Sequence, residues 1–172
     1  MSAGEAELFL RLEQLGVTSQ TFHHPPVFTV EDAKALRGRL PGVHCKSLFL
    51  KDKSDQLWLV VAAEDRIVDL KQLAKAVGAD RLSFGKPELL EEVLGVRPGA
   101  VTPFGLINDE AVRVKVVLER AMLVQSPLNY HPLRNDRTTQ IAPAELLRFI
   151  ESCGHQPIII DFETLADAAE TP

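Results

Sequence analysis

Three groups of residues stand out for their chemistry. They are Lys46, a glycine- and proline-rich stretch running from Gly99 through Pro103 to Gly105, and the polar run His131-Pro132-Leu133-Arg134-Asn135 followed by Thr138 and Thr139. A lysine can hold a phosphate or polarise a carbonyl as a point charge, and the amides of a Gly/Pro loop can hold a hydroxyl or a developing oxyanion. Cys45, His131 and Asn135 are also of the types that assemble a nucleophile, a base and an orienting group. No hydrolase signature surrounds Cys45, and a structural cysteine is the competing reading. The chain has no G-x-S-x-G, H-E-x-x-H, P-loop or dinucleotide-binding motif, which weighs against esterase-triad, zinc-hydrolase, NTPase and dehydrogenase chemistry. The histidines at 23, 24, 44, 131 and 155 show no metal-ligand spacing, and His23-His24 before two prolines reads as a loop surface.

The elements that must position these residues follow from periodicity and punctuation. A first helix is expected over Ala3–Leu15 with Leu8, Leu12 and Leu15 on one face, then a short strand up to Pro25-Pro26. Thr29 is placed to cap a helix through Leu36, with Asp32 completing a capping box and Gly38 as the stop. Lys46–Lys51 and Leu57–Ala62 read as an antiparallel hairpin with Lys46 at its entrance. Asp69 caps a helix closed by Gly78, Arg81–Phe84 reads as a short strand, and Pro87 opens a helix closed by Gly95. The stretch from Gly95 to Asp109 reads as a structured loop rather than a helix. Strands are expected over Val112–Leu118, Met122–Gln125, Leu128–Tyr130 and Thr138–Ile141. A helix from Pro143 to Gly154 and a strand over Pro157–Phe162 follow, with Glu163–Pro172 as a frayed tail. Helices interspersed with strands joined by short turns predict an α/β (α+β-like) domain over residues 1–162, with a mixed, mainly antiparallel sheet and helices packed outside it.

Composition narrows the function. At 172 residues and 45% hydrophobic, the chain can enclose one core. It has no apolar run long enough to span a bilayer and no signal-peptide pattern, which predicts a cytoplasmic protein without membrane contact. Two cysteines predict reduced thiols. A net charge of −5 argues against generic nucleic-acid binding. The segment from Lys34 to Lys53 is the exception, setting Lys34, Arg37, Arg39, Lys46, Lys51 and Lys53 against Asp52 alone. It reads either as a phosphate-facing patch or as a solvated helix face plus hairpin.

Four segments together carry a resemblance: Thr29-Val-Glu-Asp-Ala33, Leu40-Pro-Gly-Val-His-Cys-Lys-Ser-Leu-Phe-Leu-Lys-Asp52, Gly99-Ala-Val-Thr-Pro-Phe-Gly-Leu-Ile-Asn-Asp109 and His131-Pro-Leu-Arg-Asn135. From about Leu8 to Phe162 the chain resembles the YbaK/ProX-type aminoacyl-tRNA editing family, which is related to the insertion domain of prolyl-tRNA synthetase, and its PrdX/ProXp-ala branch most of all. The resemblance implies a compact α/β domain that hydrolyses the ester of mischarged aminoacyl-tRNA without a metal, a cofactor or a covalent intermediate. By this resemblance Lys46 contacts the terminal nucleotide, the Gly99–Pro103 loop positions the ester and its ribose, and His131 belongs to the site. A terminal adenosine hydroxyl helps to activate the water. Ser47 stands where this branch usually has asparagine, and keeps donor and acceptor capacity at shorter reach.

The resemblance also implies a substrate, alanyl-tRNA(Pro). A synthetase pocket built for proline rejects the smaller alanine weakly, because lost apolar contacts are worth about 1–3 kcal/mol. A smaller hydrolytic pocket would complete the sieve, with Phe28, Val30, Phe104 and Leu106 as walls and Ser47, Gly105 and Asn135 at the substrate. Lys34, Arg37, Arg39, Lys51 and Lys53 would face the tRNA, and prolyl-tRNA synthetase is a possible partner. The rival readings are removal of cysteine from tRNA(Pro) and a non-catalytic module that binds the acceptor stem.

Overall fold

Each helix is bounded by residues that its backbone termini require. In the computed structural model, which describes residues 2–165, α1 spans Glu5–Gln14 and buries Leu8 and Leu12. Strand β1 (Ser19–His23) leads to α2 (Val30–Arg37). The α2 capping box forms as expected: Thr29 Oγ1 accepts from the Asp32 N–H at 3.0 Å, and Asp32 Oδ2 accepts from the Thr29 N–H at 3.2 Å. Helix α3 (Leu70–Val77) begins where Asp69 Oδ1 accepts from the N–H groups of Lys71 and Gln72. Its stop, Gly78, has φ +72°, a left-handed conformation that glycine adopts without a Cβ clash. Helix α4 (Pro87–Leu94) opens on proline, and α5 spans Pro143–Ser152.

One mixed sheet of eight strands carries the site. The others are β2 (Val43–Lys51), β3 (Leu57–Ala63), β4 (Ser83–Phe84), β5 (Val114–Glu119), β6 (Leu128–Tyr130), β7 (Arg137–Ile141) and β8 (Ile158–Ile160). Their order is β1-β7-β6-β2-β3-β5-β8, with β4 beside β2. The β2–β3 hairpin is antiparallel, with Lys46 opposite Ala62, whereas β2–β6, β3–β5 and β5–β8 are parallel. Strand β3 is central and buried on both faces. Leu57, Leu59 and Val61 pack into one core, with α1, α4, α5 and β5, and Trp58 and Val60 into the other, with Leu73 and Ala74 of α3.

Several expectations shift. Strand β2 begins at Val43, so Lys46 lies within it rather than at the hairpin entrance. The stretch from Gly95 to Asp109 is not all loop: Pro103–Asn108 forms a 3-10 helix, η1, whose Thr102 cap accepts from the Phe104 N–H at 3.2 Å. Met122–Val124 is a second 3-10 turn rather than a strand. Phe162–Leu165 form a helical turn, and Phe162 is buried, so the first residues assigned to the tail are ordered. The rest of the expected tail, residues 166–172, lies outside the described residues. Asp52, the lone acid of the basic segment, has a structural task. It is 5% exposed, accepts from the N–H groups of Ser54 and Gln56 and from Trp58 Nε1, and so shapes the hairpin turn. Among the described residues no helix is long and apolar enough to cross a membrane.

Candidate active site

A cavity of about 100 Å³ lies between α2 and the strands β2, β6 and β7. Ala33 and Leu36 of α2 and Val27 ahead of it form one wall, and His44, Cys45 and Ser47 of β2 form another. Asn129, Tyr130, His131 and Thr138 supply the sheet side, while Val101 and Glu64 complete the enclosure. Glu64 reaches this place because the β3 end is anchored twice: its N–H donates to the His44 carbonyl at 2.9 Å, and Glu119, 1% exposed, accepts from the Ala63 N–H and from Arg66.

The polar groups of the lining have defined roles. His131 Nδ1 donates to the Arg137 carbonyl at 2.8 Å, which leaves Nε2 as an acceptor. Burial holds the His131 imidazole below its usual pKa and so favours the neutral ring. His24 Nδ1 donates to the Pro25 carbonyl, so the neutral ring takes the Thr138 hydroxyl proton at Nε2, 2.8 Å away. Thr138 Oγ1 is then an acceptor toward the cavity. Burial pushes the Cys45 thiol up to about 12, and the Tyr130 contact only partly opposes this. At neutral pH that thiol is protonated and is a poor nucleophile. His24, His44 and His131 gather near one another, yet no set of three or more His, Cys, Asp or Glu among the described residues can hold a metal ion.

A second, open groove of about 450 Å³ draws its walls from some of the same chain segments. Its lining includes Pro26, Phe28, Arg97, Ala100, Leu133 and Asn135, of which Pro26, Phe28 and Ala100 are the chain neighbours of Val27 and Val101 in the cavity wall. Gly99, at φ +93°, falls between Pro98 and Ala100 of the groove lining, and a Cβ there would lie 3.8 Å from Asn135 Nδ2. The N–H groups of Gly99 and Val101 donate to no group among the described residues.

The structure therefore brings some of the expected residues together and separates others. His131 and Ser47 line the cavity, and Gly99, Asn135 and Phe28, the last 79% exposed, border the groove. Lys46 is half-buried and does not line the cavity; the pleat turns it to the face of β2 that carries Leu48 and Leu50, away from Cys45 and Ser47. Pro103, Phe104, Gly105 and Leu106 are all buried in η1. Phe104 packs edge-on against Tyr130 and Phe149, and Gly105 lies so close to Leu94 that a Cβ would meet it at 3.1 Å. Phe104 and Leu106 are core residues and not walls of the cavity. The side chain of Val30 lies outside the described residues.

The basic segment is not one surface. Arg37 pairs with Glu64 at 3.2 Å, and Lys51 pairs with Asp55 at 3.3 Å at the far end of the hairpin, where Lys53 is also found. Lys34 and Arg39 remain exposed on and just after α2. The residues that the sequence did not single out are Val27, Asn129, Tyr130, Glu64, Val101, Ala33 and Leu36, none of which carries a local signal of a site.

Comparisons with known proteins give the family. Residues 24–149 match the model of the aminoacyl-tRNA editing domain, a span that holds every residue of the cavity. The chain is 39% identical over 161 residues to prolyl-tRNA synthetase associated domain-containing protein 1 of Danio rerio, covering 92% of this chain and 86% of that one. It is 33% identical to the prolyl-tRNA editing protein ProX of Acetoanaerobium sticklandii, covering 90% and 94%. A crystal structure described as that of a candidate trans-editing enzyme for prolyl tRNA synthetase superposes with a TM-score of 0.68 at 21% identity, covering 94% and 98%, and shares the fold. By its sequence match and its architecture, the chain belongs to the aminoacyl-tRNA editing domain family, whose members are deacylases acting on mischarged tRNA.

Proposed function

We propose that this protein is a cytoplasmic, trans-acting deacylase that hydrolyses alanyl-tRNA(Pro). The observation that carries the reading is the size of the cavity. At about 100 Å³ it is much smaller than the neighbouring groove, and a small recess favours a short side chain such as that of alanine over a larger one. The ProX and synthetase-associated relatives support tRNA(Pro) as the carrier.

In this reading the aminoacyl group enters the cavity while the terminal adenosine lies in the open groove, its base on the exposed Phe28 ring and its phosphates toward Arg97. Water adds to the ester carbonyl carbon, and the free N–H groups of Gly99 and Val101 stabilise the oxyanion. The bond between that carbon and the ribose oxygen then breaks, the ribose oxygen takes a proton, and alanine and tRNA leave. Cys45, protonated in its buried position, forms no acyl intermediate. A terminal ribose hydroxyl of the tRNA assists the attacking water, and Lys46, which is outside the cavity lining on the other face of β2, contacts the terminal nucleotide from outside the cavity.

The test is to incubate the purified chain with alanyl-, cysteinyl-, seryl- and prolyl-tRNA(Pro) and follow loss of the ester. Alanyl-tRNA(Pro) should be cleaved fastest and prolyl-tRNA(Pro) spared. Faster loss of the cysteinyl ester would replace alanine with cysteine. Stability of all four would end the deacylase reading.

A further inference from the structure

Asn129 carries an unused hydrogen-bond acceptor in the cavity wall. Its side chain is anchored by Nδ2, which donates to the carbonyls of Pro41 at 3.1 Å and Val43 at 3.2 Å. Both partners can only accept, so the nitrogen must face the Pro41–Val43 turn and Oδ1 must face away from it. The residue is 3% exposed, and Oδ1 has no hydrogen-bond partner among the described residues. The turn that holds it is itself tightly fitted: Gly42 has φ +95°, and a Cβ there would lie 2.4 Å from the Pro127 carbonyl oxygen. Buried polar atoms in native folds are nearly always paired, so a rigidly held orphan in a cavity wall calls for a donor from outside the protein.

The neighbouring groups specify that donor. His131 Nε2 and Thr138 Oγ1 are also acceptors on the lining, for the tautomeric reasons given above. Most donors there are engaged: the Tyr130 hydroxyl contacts Met122 Sδ at 3.1 Å, the Cys45 thiol contacts the Val43 carbonyl and His44 Nε2 donates to the Leu40 carbonyl, while the Ser47 hydroxyl can rotate to present its lone pairs. These three acceptors, with the Glu64 carboxylate also on the lining, complement one group with several N–H bonds. Resting on the deacylase reading, we infer that Asn129 Oδ1 receives the free α-amino group of the aminoacyl ester, with His131 Nε2 and Thr138 Oγ1 accepting its remaining N–H bonds. The site then selects esters with a free primary amine and rejects N-acylated ones, peptidyl-tRNA included.

The experiment gives the purified full chain tRNA(Pro) carrying alanine, N-acetylalanine or lactate, in which a hydroxyl replaces the amine of alanine, and measures kcat/KM for ester loss. Seryl or cysteinyl esters and their N-acetyl forms substitute if one of them is cleaved faster than the alanyl ester. The parent should cleave the alanyl ester on the order of 10- to 100-fold faster than either analogue, the range of a hydrogen bond to a charged group. Asn129→Ala, checked for folding by its thermal melt, should slow the alanyl ester and leave the lactyl ester unchanged, which compresses that ratio. Equal rates for the three esters in the parent overturn the inference and leave the deacylase reading intact. A folded Asn129→Ala that keeps the parental ratio overturns the assignment to Asn129. If that variant does not fold, the parental ester series decides. If no free aminoacyl ester is cleaved at all, both readings fall.

Discussion

Replacing Asp109 with alanine should destabilise the protein more than most single changes, although Asp109 touches neither the cavity nor the groove. Asp109 closes η1, is 2% exposed, and accepts three hydrogen bonds: from the Arg113 and Val114 N–H groups, each at 2.9 Å, and from His155 Nε2 at 2.8 Å. His155 is equally buried, so the pair joins the end of η1 and the start of β5 to the turn after α5. Each buried donor left without a partner costs about 1–3 kcal/mol. Three of them, partly relieved by water entering the gap, put Asp109→Ala at about 3–5 kcal/mol, at the large end for a single substitution. For a chain of this size that is a fall in Tm of about 6–20 °C. Asp109→Asn keeps one oxygen, which can serve either the Arg113 N–H or the Val114 N–H and His155 but not both sides, and should lose less than the alanine variant, roughly 1–3 kcal/mol.

The assay is thermal and urea unfolding followed by circular dichroism at neutral pH, repeated toward acid. Burial pushes the Asp109 carboxyl up, but His155 and the two N–H groups outweigh it and hold the pKa below its ordinary 3.8. The contribution is therefore fully present above that value and is lost as pH falls through the lower, folded one, so the gap between parent and variant should close there. An Asp109→Ala variant melting within about 2 °C of the parent at pH 7 would refute the reasoning.

The other predictions concern the site. Cys45→Ala should keep deacylation within about threefold, and the native Cys45 thiol should resist iodoacetamide at pH 8, where a thiol titrating at about 12 is ionised only about once in ten thousand; an inactive, folded variant would reinstate a cysteine nucleophile. Lys46→Ala should lower turnover of the cleaved ester at least about tenfold with little change in Tm, since a half-buried lysine with no hydrogen-bond or ion-pair partner among the described residues adds little stability; unchanged turnover removes it from the site. Because burial lowers the His131 pKa, kcat/KM should stay flat down to its ordinary 6.5 and decline only below it, as Nε2 takes a proton. Stability should weaken in the same acid window, where the unfolded chain binds a proton that the buried ring resists. An acid limb centred above pH 7 would contradict this.

The parts of the fold that were legible in the sequence are those written by short-range chemistry. Thr29 with Asp32, Asp69 with Gly78, and Pro87 with Gly95 mark three helices because a cap requires particular side chains within a few residues of the helix end. Met122–Val124 misled because an apolar run of three or four residues suits a strand or a tight turn equally, and packing decides between them. Phe104 and Leu106 misled for a related reason. Val101, shortly before them in the chain, lines the cavity, but the Thr102 cap winds them into η1 and toward Leu94 and Phe149. Asn129 was invisible as a site residue because its meaning depends on carbonyls more than eighty positions away, and on a parallel pairing of β2 with β6 that no local pattern encodes.

The walls of the cavity are drawn from segments scattered between Val27 and Thr138. A chain still emerging from the ribosome with β2 and β3 formed but β6 and β7 unmade would hold Cys45 and Ser47 without Asn129, His131 or Thr138. It would have neither the enclosure nor the acceptors, and a partly made copy could not cleave the charged tRNAs that surround it during synthesis. Competence arrives late and all at once, when the second half of the sheet closes against the first.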